Sequence, residues 1–354
     1  MTQQALIGLY CCAQTLIPSL FPFMVLSEFL SEYGIFDKIA FIFSPLCKKV
    51  LKLPSVAGGA VILSMVGGFP VGAACCARLY SDKSITESQA RRMLHFAVGA
   101  GPAFVIFAVG QNMLKNINTG IMLYISQILS QLTIAVIGGI ISKDTQTESK
   151  ASQKQKRSFS DAVINSCFKS SDSMIKLCAV VVLFSAVMGV LSDAHIMELL
   201  ERLLNSLFIQ KAIADSLLYA LTEVTAGCLN AVKNGAPLEF IAFAIGFGGL
   251  SVHFQIFSLL TELDFSKLDF MLHRVLCGLL CAGYTFVILL FMPDSVAQAV
   301  SLSTPSGIAF SSTTAAGSAA LIVCCIVFVL SVKSREKNNT VSKITYNIRR
   351  NRAK

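Results

Sequence analysis

Charge is scarce in this sequence of 354 residues: Asp, Glu, Lys and Arg make up 14% of it, against 54% hydrophobic residues and a mean hydropathy of +0.68. Soluble domains carry roughly a quarter charged residues, so the scarcity excludes a soluble globular protein and implies a polytopic membrane protein with about seven to nine segments. Catalytic signatures are missing as well. There is no G-x-S-x-G, no H-E-x-x-H and no Walker lysine, so neither an enzyme nor an ATP-driven pump is expected. The 12 cysteines include no C-x-x-C and nothing at zinc-ligand spacing. They read as small apolar packing residues, and no metal and no cofactor is expected. Met1 to Tyr10 carries no positive charge and lacks the n-region of a signal peptide, so residues 5–30 read as a retained helix.

What charge there is lies in two places. Residues 143–157 hold five Lys and Arg against two acids, and the tail 333–354 holds eight against Glu336, while the whole chain sums to +9. Basic loops beside membrane spans follow from the positive-inside rule, and nucleic acid is not an expected partner. The chain divides accordingly into a first repeat (5–141), a basic cytoplasmic linker (142–159), a second repeat (160–293), a loop with a C-terminal membrane helix (294–332) and a basic cytoplasmic tail (333–354).

Two repeats are expected because a pair of glycine-broken apolar segments occurs twice. The first copy is Gly67-Gly68-Phe69-Pro70-Val71-Gly72, then Gly99-Ala100-Gly101-Pro102. The second is Glu223-Val224-Thr225-Ala226-Gly227, then Gly246-Phe247-Gly248-Gly249-Leu250-Ser251-Val252-His253. Gly72 and Gly227 are 155 residues apart, and Gly99 and Gly246 are 147 apart. Hydrocarbon tolerates broken helices only where they line a cavity or a site, and matching breaks in two halves point to a transporter site near the midplane. Residues 55–80 and 212–233 read as re-entrant hairpins. Residues 85–114 and 237–260 read as broken helices, the first after a capping box at Ser84–Glu87. Clean spans are expected at 119–141, 174–192, 274–293 and 318–332, and amphipathic pieces at 35–52, 160–172 and 195–210. Segment 37–52 carries net +3 and its counterpart 193–211 net −1, the opposite signs that inverted repeats require. Seven spans then put the N-terminus outside and both basic segments inside.

These motifs, together with Pro18-Ser19-Leu20-Phe21-Pro22-Phe23 and Ser251-Val252-His253-Phe254-Gln255, resemble the YlbJ-type sporulation integral membrane proteins over roughly residues 5–293. That group belongs to the nucleoside-recognition or Gate superfamily, akin to concentrative nucleoside transporters and the gate region of the ferrous-iron transporter. The resemblance implies transport of dipicolinic acid across the outer forespore membrane of a sporulating cell. Members usually carry a further apolar helix ahead of the Pro-x-Leu-Phe-Pro-Phe region, and this sequence is expected to start after it.

Dipicolinate is a flat dianion, so half-helix N-termini, with unpaired N–H groups and a positive dipole end, suit it. The candidate binding residues are Gly68, Phe69, Gly72, Gly101, Thr225, Gly227, Gly248, Gly249, Ser251, His253 and Gln255. Glycine admits close backbone approach, with helix packing as the alternative for any single glycine, Thr225, His253 and Gln255 donate hydrogen bonds, and Phe69 or Phe247 stacks on a ring. Glu223 is the candidate coupling residue, because an ionisable side chain in a membrane segment is a functional candidate by default. A carboxylate repels a dianion, so protonation or cation coordination is its expected task, with a structural hydrogen bond to the opposing break as the equal alternative. The expected partners are a small-molecule anion, membrane lipid and a coupling proton or cation, with a homo-oligomer left open. Two alternatives stand beside the anion transporter: a symporter of nucleosides or other small solutes, and a non-transporting scaffold for spore-coat or germination proteins, for which the basic tail would serve.

Overall fold

The structure, a computed structural model, describes residues 2–33, 44, 45, 47–142, 158–196, 202, 211–260 and 262–291. The linker at 143–157, most of the amphipathic stretches at 35–52 and 195–210, the loop and span at 294–332 and the basic tail lie outside these residues. The described residues form helices and their connections, with no strand among them. The protein is an all-α polytopic membrane protein.

Thirteen helices are described from end to end. They are α1 (Thr2–Cys11), which passes through a π-helical stretch (Cys12–Leu16) into α2 (Ile17–Glu32), then α3 (Ala57–Gly67), α4 (Phe69–Ser81) and α5 (Glu87–Phe96). Next come α6 (Ala103–Met113, π-helical), α7 (Ile117–Ile141), α8 (Phe159–Asp193), α9 (Lys211–Thr222) and α10 (Val224–Lys233). The last three are α11 (Leu238–Phe247), α12 (Gly249–Leu259) and α13 (Lys267–Phe291). Four spans among the described residues are long and apolar enough to cross a bilayer: α7, α8, Leu238–Leu259 and α13. A fifth is α1–α2 taken together, bent by 53° between Leu16 and Leu20, where Pro18 removes a helix hydrogen bond.

Four boundaries differ from the sequence reading. Residues 160–172 and 174–192 are one continuous helix, α8. At 35 residues it is about 52 Å long and outruns a ~30 Å hydrocarbon core, so its amphipathic start projects beyond the membrane. The capping box is two residues later than expected: Thr86 accepts from the Gln89 amide while the Gln89 side chain accepts from the Thr86 amide, and α5 begins at Glu87. α13 begins at Lys267 rather than residue 274. Pro237 is the N-cap of α11, outside its first turn.

α1–α2 runs antiparallel to α8. A Cβ on Gly8 would meet the Ser185 side chain, Cys12 Sγ lies 3.9 Å from the Cys178 carbonyl, and Lys169 pairs with Glu32. The α3–α4 pair enters and leaves at one end of the bundle. On entry, Lys52 Nζ donates to the Ser142 carbonyl at the end of α7 (2.9 Å), and Arg92 of α5 donates to the Lys52 carbonyl (2.7 Å). On exit, the chain goes straight into that same α5. α3 has 11 residues, about 16 Å, which is half a bilayer core.

The sidedness of α7 is that of a membrane helix. Ile117, Ile121, Ile125 and Leu129, four apart, are exposed, whereas Thr119, Ser126, Gln127, Ser130 and Gln131 are buried. In lipid the apolar stripe faces outward, and polar side chains turn inward to find partners.

Candidate functional site

Each helix break has a local cause. Between α3 and α4 the chain turns at Gly68, and between α11 and α12 at Gly248 and Gly249, with φ of +86°, +88° and +76°, a region costly for residues bearing a Cβ. Between α9 and α10 it opens at Glu223, which is extended. Between α5 and α6 residues 97–101 are irregular, and Pro102 precedes the new helix.

The breaks are brought together in pairs, and the pairs meet. A Cβ on Gly68 would lie 3.2 Å from the Gly101 amide nitrogen, and one on Gly249 would lie 3.0 Å from that of Val224 and 3.2 Å from Glu223 Cα. Phe69 joins the two: its ring edge would be 3.2 Å from a Cβ on Gly248. Gly68, Phe69, Gly101, Glu223, Gly248 and Gly249 thus form one cluster.

Other candidates lie elsewhere. A Cβ on Gly72 would sit 1.7 Å from the Ala97 carbonyl oxygen, and one on Gly227 would sit 2.3 Å from Ala220 Cα. These two glycines serve close helix packing rather than an opening. Thr225 and Ser251 are buried within the first turns of α10 and α12. Gln255 is only partly buried, six residues beyond Gly249. His253 is buried, with Nε2 3.1 Å from the Phe247 carbonyl oxygen and its ring edge-on to Phe247 and Phe270.

Four helices start at the breaks, and their N-termini are unequal. α4, α6 and α12 have no side-chain cap. α10 is capped by Glu223, whose two carboxylate oxygens accept from the amides of Thr225 (2.9 Å) and Ala226 (2.6 Å). The carboxylate therefore fills the very N-terminus that the sequence reading offered to a substrate. Charge-assisted bonds of this kind contribute about 1.5–3 kcal/mol each, which offsets the cost of holding a carboxylate in a dry interior.

The carbonyl side of the breaks is held by side chains from α7 and α13. Gln131 donates to the Phe96 carbonyl (3.0 Å) and Gln127 to that of Ala100 (2.7 Å), both from α7. Arg274 of α13, fully buried, donates to the carbonyls of Val98 and Gly246, and so ties the α5 break to the end of α11. Its Nε has no partner in the structure. A guanidinium at two helix C-termini is favoured by their partial negative charge. Sequence reasoning overlooked Arg274 because a span beginning at residue 274 places it at a membrane edge. The signal was an arginine continuous with the apolar run 275–291.

Comparison with known proteins follows the same lines. Residues 13–98 match the Gate family, described as nucleoside recognition; the match runs from α1–α2 through the first hairpin to the α5 break. Over 313 residues the chain is 24% identical to the sporulation integral membrane protein YlbJ of Bacillus subtilis (strain 168), covering 81% of this chain and 76% of that protein. No solved structure matches.

Proposed function

We propose that this multi-pass membrane protein, similar to YlbJ and matching the Gate family over residues 13–98, is a secondary transporter of a small anionic solute, with dipicolinate in a sporulating cell as the substrate. One observation carries this reading. Three uncapped helix N-termini start at the clustered breaks and the fourth holds an internal carboxylate, while the only fully buried arginine among the described residues donates to carbonyls of two of those breaks. Glu223 is an intramolecular example of carboxylate binding at such a terminus. A substrate carboxylate is recognised in the same way, by backbone N–H groups and the helix dipole, with Arg274 supplying the full positive charge.

Coupling follows from that competition. A protonated Glu223 is a poorer acceptor, so the amides of Thr225 and Ala226 are released to an incoming carboxylate. Proton binding at Glu223 and anion binding then favour one another.

The reading includes two inverted repeats. Gly99 packs on Gln131, and Gly246 packs on Gly278, so both members of the contact shift by 147 residues. Gln127 and Arg274, each holding the break of its own half, are also 147 apart. Orientation agrees too. Arg91 near the start of α5 donates to the Asp264 carbonyl, beside the far end of the Leu238–Leu259 span. The loop at 234–237, the counterpart of 82–86, precedes that span and so belongs to the opposite face. The N-terminal half (5–141) and the second half (160–293) are the two repeats in this proposal.

A nucleoside symporter is the second reading, favoured by the description of the Gate match. Purified protein in proteoliposomes separates the two. Labelled dipicolinate should accumulate under an imposed pH gradient and labelled uridine should not. Uridine uptake without dipicolinate uptake would replace the first reading by the second, and uptake of neither would reject transport of both.

A further inference from the structure

At the end of the bundle where α5 and α13 begin, three side chains converge outside the break cluster. Asp269 and His273 are four apart on α13, hence on one helix face. His95 comes from the last turn of α5, 174 residues away in sequence from Asp269. His95 Nε2 lies 2.8 Å from Asp269 Oδ2, and His273 Nδ1, 3.3 Å from Asp269 Oδ1, donates to the Asp269 main-chain carbonyl oxygen (2.9 Å), which leaves Nε2 as the His273 nitrogen with a lone pair for a ligand. The imidazole rings are parallel, with centroids 3.5 Å apart. One ligand atom from each of the three falls within 4.8 Å of the others.

We infer that His95, Asp269 and His273 bind a first-row transition-metal dication. Two imidazole nitrogens and one carboxylate oxygen suit Zn2+, Co2+ or Fe2+, whereas Mg2+ and Ca2+ take oxygen ligands throughout. A cavity of about 840 Å3 opens directly onto the three residues, with room for water in the remaining coordination positions. Local charge permits a cation: beside Arg91 and Arg92 stand Glu87, Asp264 and Asp269, and Arg91 is already paired with Glu87 and Asp264. The three ligands are only partly exposed or half-exposed, so a metal can enter from solvent.

The site joins the two halves. His95 lies three residues before Val98, and His273 immediately precedes Arg274. Val98 and Arg274 form one of the hydrogen bonds that hold the α5 break. A bound metal therefore fastens α5 to α13 just outside that bond and hinders their separation.

Purified full-length protein, freed of metal by chelation and dialysis, is titrated with Co2+ and then with Zn2+ in competition. One Co2+ per chain should bind with visible d–d bands and no thiolate charge-transfer band, which separates this site from the cysteines. Zn2+ should displace it and raise the thermal midpoint. His95→Ala and His273→Ala should each weaken binding by at least about tenfold, since a lost ligand costs no less than a lost outer-sphere partner. Absence of Co2+ and Zn2+ binding to the wild-type protein overturns the inference whatever the variants do. So does a thiolate band, or unchanged affinity in folded variants.

Discussion

Arg274→Met keeps an unbranched stem in the core while deleting the guanidinium, and the carbonyls of Val98 and Gly246 lose their donor. Arg274 is 0% exposed, so water does not replace it. A buried acceptor left unpaired costs about 1–3 kcal/mol, which gives roughly 2–6 kcal/mol for two. Polar contacts between membrane helices measure nearer ~0.6 kcal/mol each, so the lower bound is about 1.2 kcal/mol. Removing a buried cation also relieves its desolvation, which offsets part of the loss. The expected stability change therefore lies in the lower part of the range of about 1.2–6 kcal/mol that these figures span, read as a lower thermal midpoint of the detergent-solubilised protein. Transport should suffer more under the proposed function, because no other Arg or Lys among the described residues is fully buried. Dipicolinate uptake should fall at least about tenfold, the equivalent of 1.4 kcal/mol. Arg274→Lys keeps the charge without the fork that spans two carbonyls, and should retain uptake between the two. Wild-type uptake by a folded Met variant would refute the assignment of Arg274 to the anion.

Three further predictions use other parts of the structure. Gly72→Ala places a methyl group 1.7 Å from the Ala97 carbonyl oxygen, so the protein should be lost from the monodisperse peak in size exclusion; a well-behaved variant would mean that α4 and α5 are not so close. Glu223→Gln puts an NH2 group against a backbone amide and forfeits one of two capping bonds, about 1.5–3 kcal/mol. That variant should melt earlier and show residual uptake that no longer varies with pH, and an unchanged midpoint and pH profile would leave Glu223 without either role. Cysteines placed at Lys83 and Asn234 in a background lacking reactive cysteines should be labelled from opposite faces of the membrane, and labelling of both from one face is incompatible with inverted repeats.

Proximity between distant segments explains most of what the sequence reading missed. Glu223 stood out as an acid beside a glycine break, but nothing in its neighbours says that its own carboxylate turns back onto Thr225 and Ala226. Gly72 and Gly227 look like Gly68 and Gly249 in sequence; only the packing of Ala97 and Ala220 against them shows that they serve helix contact. His95 and Asp269 have no metal-ligand spacing because they come from different halves of the chain.

Composition and periodicity determined the membrane class, the all-helical architecture and the places where helices break. These properties are local: an apolar run of sufficient length, a glycine with positive φ or a capping threonine acts within a few residues of itself. Tertiary structure decided which breaks touch, which N-termini remain uncapped, and that Arg274 points inward to two carbonyls rather than outward to the membrane edge. Those outcomes depend on how α5, α11 and α13 pack together, and a side chain 176 residues away from the carbonyl it satisfies leaves no periodic trace in the sequence.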